Sequence, residues 1–158
     1  MCSMYLRSLI LLFLLFKFDL IPFPFSDQGD GTVKDNANNL VWQKCSKNQI
    51  NYTSCIGTAS KIDWASALSY CGNLSLSSKS WRLPNINELY TLIDFTRKVE
   101  PVIKNSFFPN TLASQYWSST TVIYDTNKNR AFIISFNKGG QDVLSKTSTA
   151  YVRCVSGP

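Results

Sequence analysis

The sequence predicts an α+β fold: one compact domain in which an N-terminal hairpin leads to two helices and then to several antiparallel strands, stapled by two disulfides. Three observations carry this. Trp64, Ala67, Leu68 and Cys71 follow the i, i+3, i+4, i+7 spacing of one helix face. The runs "YWSSTTVIY" and "RAFIISF" are rich in β-branched and aromatic residues, as strands are. Four cysteines, Cys45, Cys55, Cys71 and Cys154, remain once the N-terminal segment holding Cys2 is set aside. A chain of 158 residues has the length of one ordinary domain.

Residues 1–25 differ from the rest. Arg7 precedes an unbroken apolar run over residues 9–16, closed by Lys17. That run is too short to span a bilayer, which takes about 20 residues. It suits the hydrophobic region of a secretory signal, with cleavage expected within residues 22–27; an uncleaved N-terminal anchor is the alternative. Cys2 precedes the apolar run, so no lipoprotein cleavage motif is present. The domain proper is expected over residues 27–157.

The stretch "SDQGDGTVKDN" looks like a calcium loop but does not fit one. With Gly31 at loop position 6, positions 1, 3 and 5 fall on Ser26, Gln28 and Asp30, and position 12 on Ala37. Only one of those four carries a charge. The reading preferred for residues 27–35 is a turn built on Asp, Asn and Gly conformations, with a metal as the alternative. Thr32 and Val33 then enter a hairpin, residues 36–39 turn it, and Leu40, Val41 and Trp42 return.

Polar, loop-like sequence follows to Ile62. Asp63 is a plausible N-cap for the first helix and Gly72 its C-terminal stop. In "WRLPNINELYTLIDF" the Asn85 and Glu88 pair has the spacing of a capping box. Ile86, Leu89, Leu92, Ile93 and Phe95 supply the core face of a second helix. Past Pro101 the chain is loop until the strand at Tyr116. A hairpin turning at Lys138, Gly139 and Gly140 follows, and "AYVRCVSG" forms a last strand that carries Cys154.

An even number of cysteines outside the cytosol implies two disulfides, for which three pairings exist. The pairing expected is Cys45–Cys55, closing a short loop, with Cys71–Cys154 tying the first helix to the last strand. A zinc site is disfavoured: the chain has no histidine, and no two cysteines stand in a C-x-x-C pair. No cofactor is implied.

Charge narrows the partners. The net charge is +6; without Arg7, Lys17 and Asp19, Lys/Arg number 16 − 2 = 14 and Asp/Glu 10 − 1 = 9. The charges are scattered, with Arg97 and Lys98 the one adjacent basic pair, so nucleic acid is not an expected partner. A basic surface on a secreted, periplasmic or cell-surface protein suits an acidic glycan or another envelope or host-surface ligand. Membrane contact is expected only through an uncleaved N-terminus. Lys128, Arg130, Lys138 and Lys146 lie near predicted turns, where antiparallel pairing would collect them at one end of the sheet. Tyr116 and Tyr124 flank a strand and are candidates to stack on a sugar ring. Solvated turn lysines are the plainer reading.

Taken in order, "GDGTVKDNANNLVWQKC", "DWASALSYC", "WRLPNINEL", "YWSST" and "YVRCVSG" resemble the Lcl C-terminal domain family of bacterial secreted proteins. That resemblance spans nearly all of the chain after residue 26. It implies a C-type-lectin-like fold, which supports the Cys71–Cys154 pairing, and adhesion to sulfated glycosaminoglycan. Two departures matter. The calcium-holding triplets of C-type lectins are missing, the nearest being Phe108-Pro109-Asn110. Collagen-like Gly-X-Y repeats are also absent, so the trimeric state of the family's collagen-like adhesin is not carried over. Formylglycine-generating enzymes share the distant fold but rely on an active cysteine pair. Here the cysteines are committed to disulfides and no histidine is available as a base, so catalysis is not expected.

Overall fold

The computed structural model describes residues 24–50 and 52–158. The predicted signal or anchor, residues 1–25, lies outside them but for its last two residues.

The fold is α+β and carries both expected disulfides, Cys45–Cys55 and Cys71–Cys154. Strands β1 (Phe25–Asp27), β2 (Thr32–Asp35) and β3 (Leu40–Gln43) form an antiparallel meander. β7 (Val155–Ser156) pairs with the other side of β3. A second antiparallel sheet holds β4 (Gln115–Thr121), β5 (Arg130–Ser135) and β6 (Gly140–Ser145) in that order.

The C-terminal segment joins the two sheets. Tyr151 bridges to Tyr116 of β4 in parallel, and Val155 pairs with Trp42 of β3. β4 thereby comes to lie between two cores. Tyr116 packs with Phe25, Trp42, Leu89 and Phe136, whereas Trp117 packs with Ala67, Cys71, Leu83 and Cys154. The alternation expected of a strand is present, but both of its faces are covered.

The aspartate-rich stretch is turn chemistry. Asp27 Oδ1 accepts the Gly29 N–H at 3.1 Å, and Asp30 Oδ1 accepts the Thr32 N–H at 3.0 Å and its hydroxyl at 2.6 Å. Asp35 Oδ1 accepts the N–H groups of Ala37 and Asn38, both at 3.0 Å. Such side-chain-to-backbone bonds stand in for ladder bonds where the chain reverses. Gly31 takes φ +88°, and a Cβ there would stand 2.7 Å from the Tyr52 ring. Only glycine fits that approach.

The first helix, α1 (Trp64–Gly72), starts where Asp63 accepts the Ser66 N–H at 2.9 Å. Its buried stripe is narrower than the periodicity predicts: Ala67 and Cys71 are buried, but Leu68 is 36% exposed. Gly72 is the last helical residue, and Asn73 rather than a left-handed glycine caps the end. The second helix, α2 (Ile86–Tyr90), carries the expected capping box but lasts only five residues. Thr91 ends it, donating its hydroxyl to the Glu88 carbonyl at 2.7 Å. Asp94 then opens a side-chain-bonded turn, accepting from the Thr96 N–H and hydroxyl. Leu92 and Ile93 are still buried, but Phe95 rides on that turn at 62% exposure and is not a core residue. Cys154 lies one residue before β7 instead of within a long last strand.

Candidate functional site

Three of the four predicted basic residues lie at one end of the β5–β6 hairpin, with Arg130 and Lys146 on opposite faces of it. β5 and β6 pair Arg130 with Ser145, so Lys146 follows directly beside the start of β5, and its N–H donates to the Asn129 carbonyl at 2.8 Å. The loop before β5 brings Lys128 to the same end. Its order comes from Asp125, whose Oδ2 accepts the N–H groups of Asn129 at 2.8 Å and Arg130 at 3.0 Å. Lys128 donates its own N–H to the Asp125 carbonyl at 2.8 Å and takes φ +52°.

The environments of the three cations differ. Lys146 Nζ stands 4.0 Å from the centroid of the Trp64 ring and donates to Thr121 Oγ1 at 3.0 Å. Trp64 is itself held by its Nε1 donating to the Ser118 carbonyl at 2.9 Å. Lys146 is thus a fixed charge over an aromatic face. Arg130 Nε lies 3.6 Å from Asp125 Oδ2, a loose pair between an exposed arginine and a mostly covered carboxylate. Lys128 is exposed. Beside them Tyr124 is 68% and Ile123 88% exposed, with the Tyr124 ring edge-on to Phe132 at 6.5 Å. The result is a basic end of the sheet with an apolar, aromatic tip. A hollow lined by Asp63, Trp64, Ala65, Lys146 and Thr147 adjoins it, with a volume of about 390 Å³.

Two expectations are corrected. Lys138 belongs to the β5–β6 turn, at the opposite end of that hairpin, and sits with Ile93, Phe95 and Arg97. The six-residue ladder between the two ends is roughly 17–20 Å long, so Lys138 cannot share a monosaccharide-sized contact with Lys146. The antiparallel register that gathers one group of turn residues necessarily sends the other away. Tyr116 is wholly buried and cannot stack on a ligand: its hydroxyl meets Ser46 Oγ at 2.8 Å and accepts the Leu112 N–H at 3.2 Å.

Sequence reasoning missed Arg153. Within "YVRCV" it reads as an outward strand residue, yet it is completely buried. Its Nη1 donates to the Lys44 carbonyl at 2.7 Å and its Nη2 to Thr111 Oγ1 at 2.8 Å, while the guanidinium carbon lies 4.6 Å from the Phe108 ring centroid. Burial pushes its pKa down to about 10, so it stays charged at neutral pH. The signal available was the run of Val152 and Cys154 on either side of it. A basic residue between two core positions is itself a candidate core residue when both strand faces are covered.

Most of the carboxylates are engaged in structure. Burial raises the pKa of Asp27, but the ion pair with Lys44 and the Gly29 N–H outweigh it and hold the group below its ordinary value. Bonds from Thr32 do the same for Asp30. Glu88 receives Arg82 in a two-pronged pair, Nη1 to Oε2 and Nη2 to Oε1, both at 2.7 Å, and also accepts the Asn85 N–H at 2.8 Å. Among the described residues no group of three Cys, Asp or Glu side chains is arranged to hold a metal ion. No helix among them is long and apolar enough to cross a membrane.

Against known proteins, the model of one family, described as the Lcl C-terminal domain, matches residues 31–156. That range takes in both helices and every strand but β1, which pairs with β2 just ahead of the matched segment. No curated protein matches the chain.

Proposed function

Since the chain belongs to the Lcl C-terminal domain family, which suggests a cell-surface or adhesin-related module, we propose that it binds a polyanionic glycan through the basic end of its second sheet. The observation that carries this reading is that Lys128, Arg130 and Lys146 share one end of the β5–β6 hairpin, with the exposed Ile123 and Tyr124 a few residues ahead of Lys128 in the chain. Cations supply attraction to sulfate or carboxylate groups along a polymer. The Tyr124 ring supplies a face on which a pyranose can stack. Contacts of this kind are mostly Coulombic and weaken as salt shortens the screening length, from about 10 Å at 0.1 M to about 3 Å at 1 M.

The reading is of binding without catalysis. Cys45, Cys55, Cys71 and Cys154 are all in disulfides, so no free thiol stands among the described residues. It also needs no calcium, because the aspartates of residues 27–35 already accept bonds from the chain. A secreted, periplasmic or cell-surface location follows from the same proposal and from the signal-like N-terminus.

A second reading rests on a separate observation. Tyr90 and Phe95 are exposed together at the end of α2, with their rings 5.7 Å apart, and Val99 is exposed four residues further on. An apolar patch of that kind suits a protein partner in the cell envelope. Binding to a heparin-like polymer, measured across a salt series in the presence of chelator, separates the two. Retention that declines steeply with salt supports the glycan reading; no retention at low salt leaves the protein-partner reading in its place.

A further inference from the structure

A second hollow, distinct from the basic end of the sheet, lies over the buried arginine. It is lined by Gln49, residues 57–59, Asn110, Thr111, Leu112 and Tyr151, and has a volume of about 390 Å³. Thr111 and Leu112 of this lining connect it to the hydrogen-bond network of the buried Arg153. Thr111 Oγ1 accepts Arg153 Nη2, and Leu112 donates its N–H to the Tyr116 hydroxyl, which in turn meets Ser46 Oγ beside the same guanidinium.

What makes this hollow unusual is an unmatched charge. Arg153 donates only to carbonyl and hydroxyl oxygens and lies against the Phe108 ring; its Nε finds no partner, and among the described residues no carboxylate lies within ion-pair distance. Neutral hydrogen bonds satisfy donors but do not cancel a buried charge, whose desolvation is costly. The lining contains no carboxylate either. Lys61 adds a second cation at the rim, with Nζ 5.2 Å from the centroid of the Tyr151 ring. An anion in the hollow would therefore be drawn toward Arg153 and Lys61 with no carboxylate of the lining to oppose it.

We propose that this hollow binds a single acidic sugar-sized ligand, a carboxylate or sulfate on a pyranose ring. The anion would face the potential set by Arg153 below and Lys61 at the rim. The ring hydroxyls would meet the Thr58 hydroxyl and the side-chain oxygen of Asn110, whose Nδ2 donates to the Ser54 carbonyl at 2.9 Å. The volume stands at the low end of small-ligand sites, roughly 300–1,000 Å³, and so fits one or two rings. No polymer is required, which separates this site from the basic end of the sheet.

NMR titration of the domain with glucuronate, glucose 6-sulfate and glucose tests it, following backbone amides. Either acid should shift the amides of residues 57–59 and 110–112, with glucose at least about tenfold weaker. Which acid binds more tightly identifies the anion. Thr58→Asp, at an exposed rim position, should weaken the acid by about threefold or more without lowering the melting temperature, and Lys61→Gln should weaken it by about twofold. Lys128→Gln with Arg130→Gln should leave it unchanged. The proposal is overturned if glucose matches both acids, if neither acid moves these amides, or if Thr58→Asp binds like the parent.

Discussion

Arg82 and Glu88 show how single side chains fix this fold. Glu88 serves twice, closing the capping box at Asn85 and receiving the paired guanidinium nitrogens of Arg82. Burial raises its pKa, but those partners together draw it below its ordinary value of 4.5. A carboxylate held lower in the folded state contributes stability that is complete above the unfolded pKa and is lost as pH falls through the folded one. Glu88→Gln can keep the cap, since glutamine serves at that position, while losing the charge. It should lower stability at pH 7 by about 1 kcal/mol, a modest figure because Arg82 is part-exposed. The gap in melting temperature between the two proteins should close as pH drops below 4.5. A gap that stays constant to pH 3 would show that the Arg82 pair contributes nothing.

Among the elements, those with local causes were legible in the sequence and those with distant causes were not. The hairpin of β2 and β3, both N-caps and the β5–β6 turn follow from residues within a few positions of one another. So does the use of "SDQGDGTVKDN" as a turn, since each aspartate bonds within three residues of itself. The length of α2 did not follow, because its apolar spacing continues past the point where Thr91 and Asp94 divert the backbone. The burial of Tyr116 and Arg153 depends on the C-terminal segment crossing between the sheets, a long-range event that a local pattern does not report. The two disulfides differ in the same sense. Cys71 and Cys154 are 83 residues apart and Cys45 and Cys55 only 10. The loop-entropy relation gives about 4.5 kcal/mol for the long closure and about 2.7 kcal/mol for the short one. Replacing Cys71 and Cys154 together by alanine should therefore cost more in urea unfolding than replacing Cys45 and Cys55. The reverse order would place the main constraint in the 45–55 loop.

Taken as a whole, the molecule is two sheets closed by one crossing segment, and its N-terminal edge bears on processing. Phe25 is buried against Phe107 and Phe108, and Pro24 accepts the Asn36 N–H at 2.8 Å. Were residues 1–25 a cleaved signal, loss of Phe25 would remove a core ring and the first of three β1–β2 pairs, so the mature N-terminus should fall at or before Phe25. Intact-mass measurement of the processed protein tests this, and a chain starting at Ser26 or later would contradict it. The same architecture sends the basic residues of the second sheet to opposite ends, which gives the glycan reading its sharpest test. Elution from a heparin-like column should shift to clearly lower salt for the Lys128→Gln, Arg130→Gln double variant, with an unchanged melting temperature. Lys138→Gln, at the far end of the hairpin, should elute close to the parent protein. Equal losses from both variants would mean diffuse attraction to the net charge, and a double variant retained like the parent would contradict a binding site at the basic end.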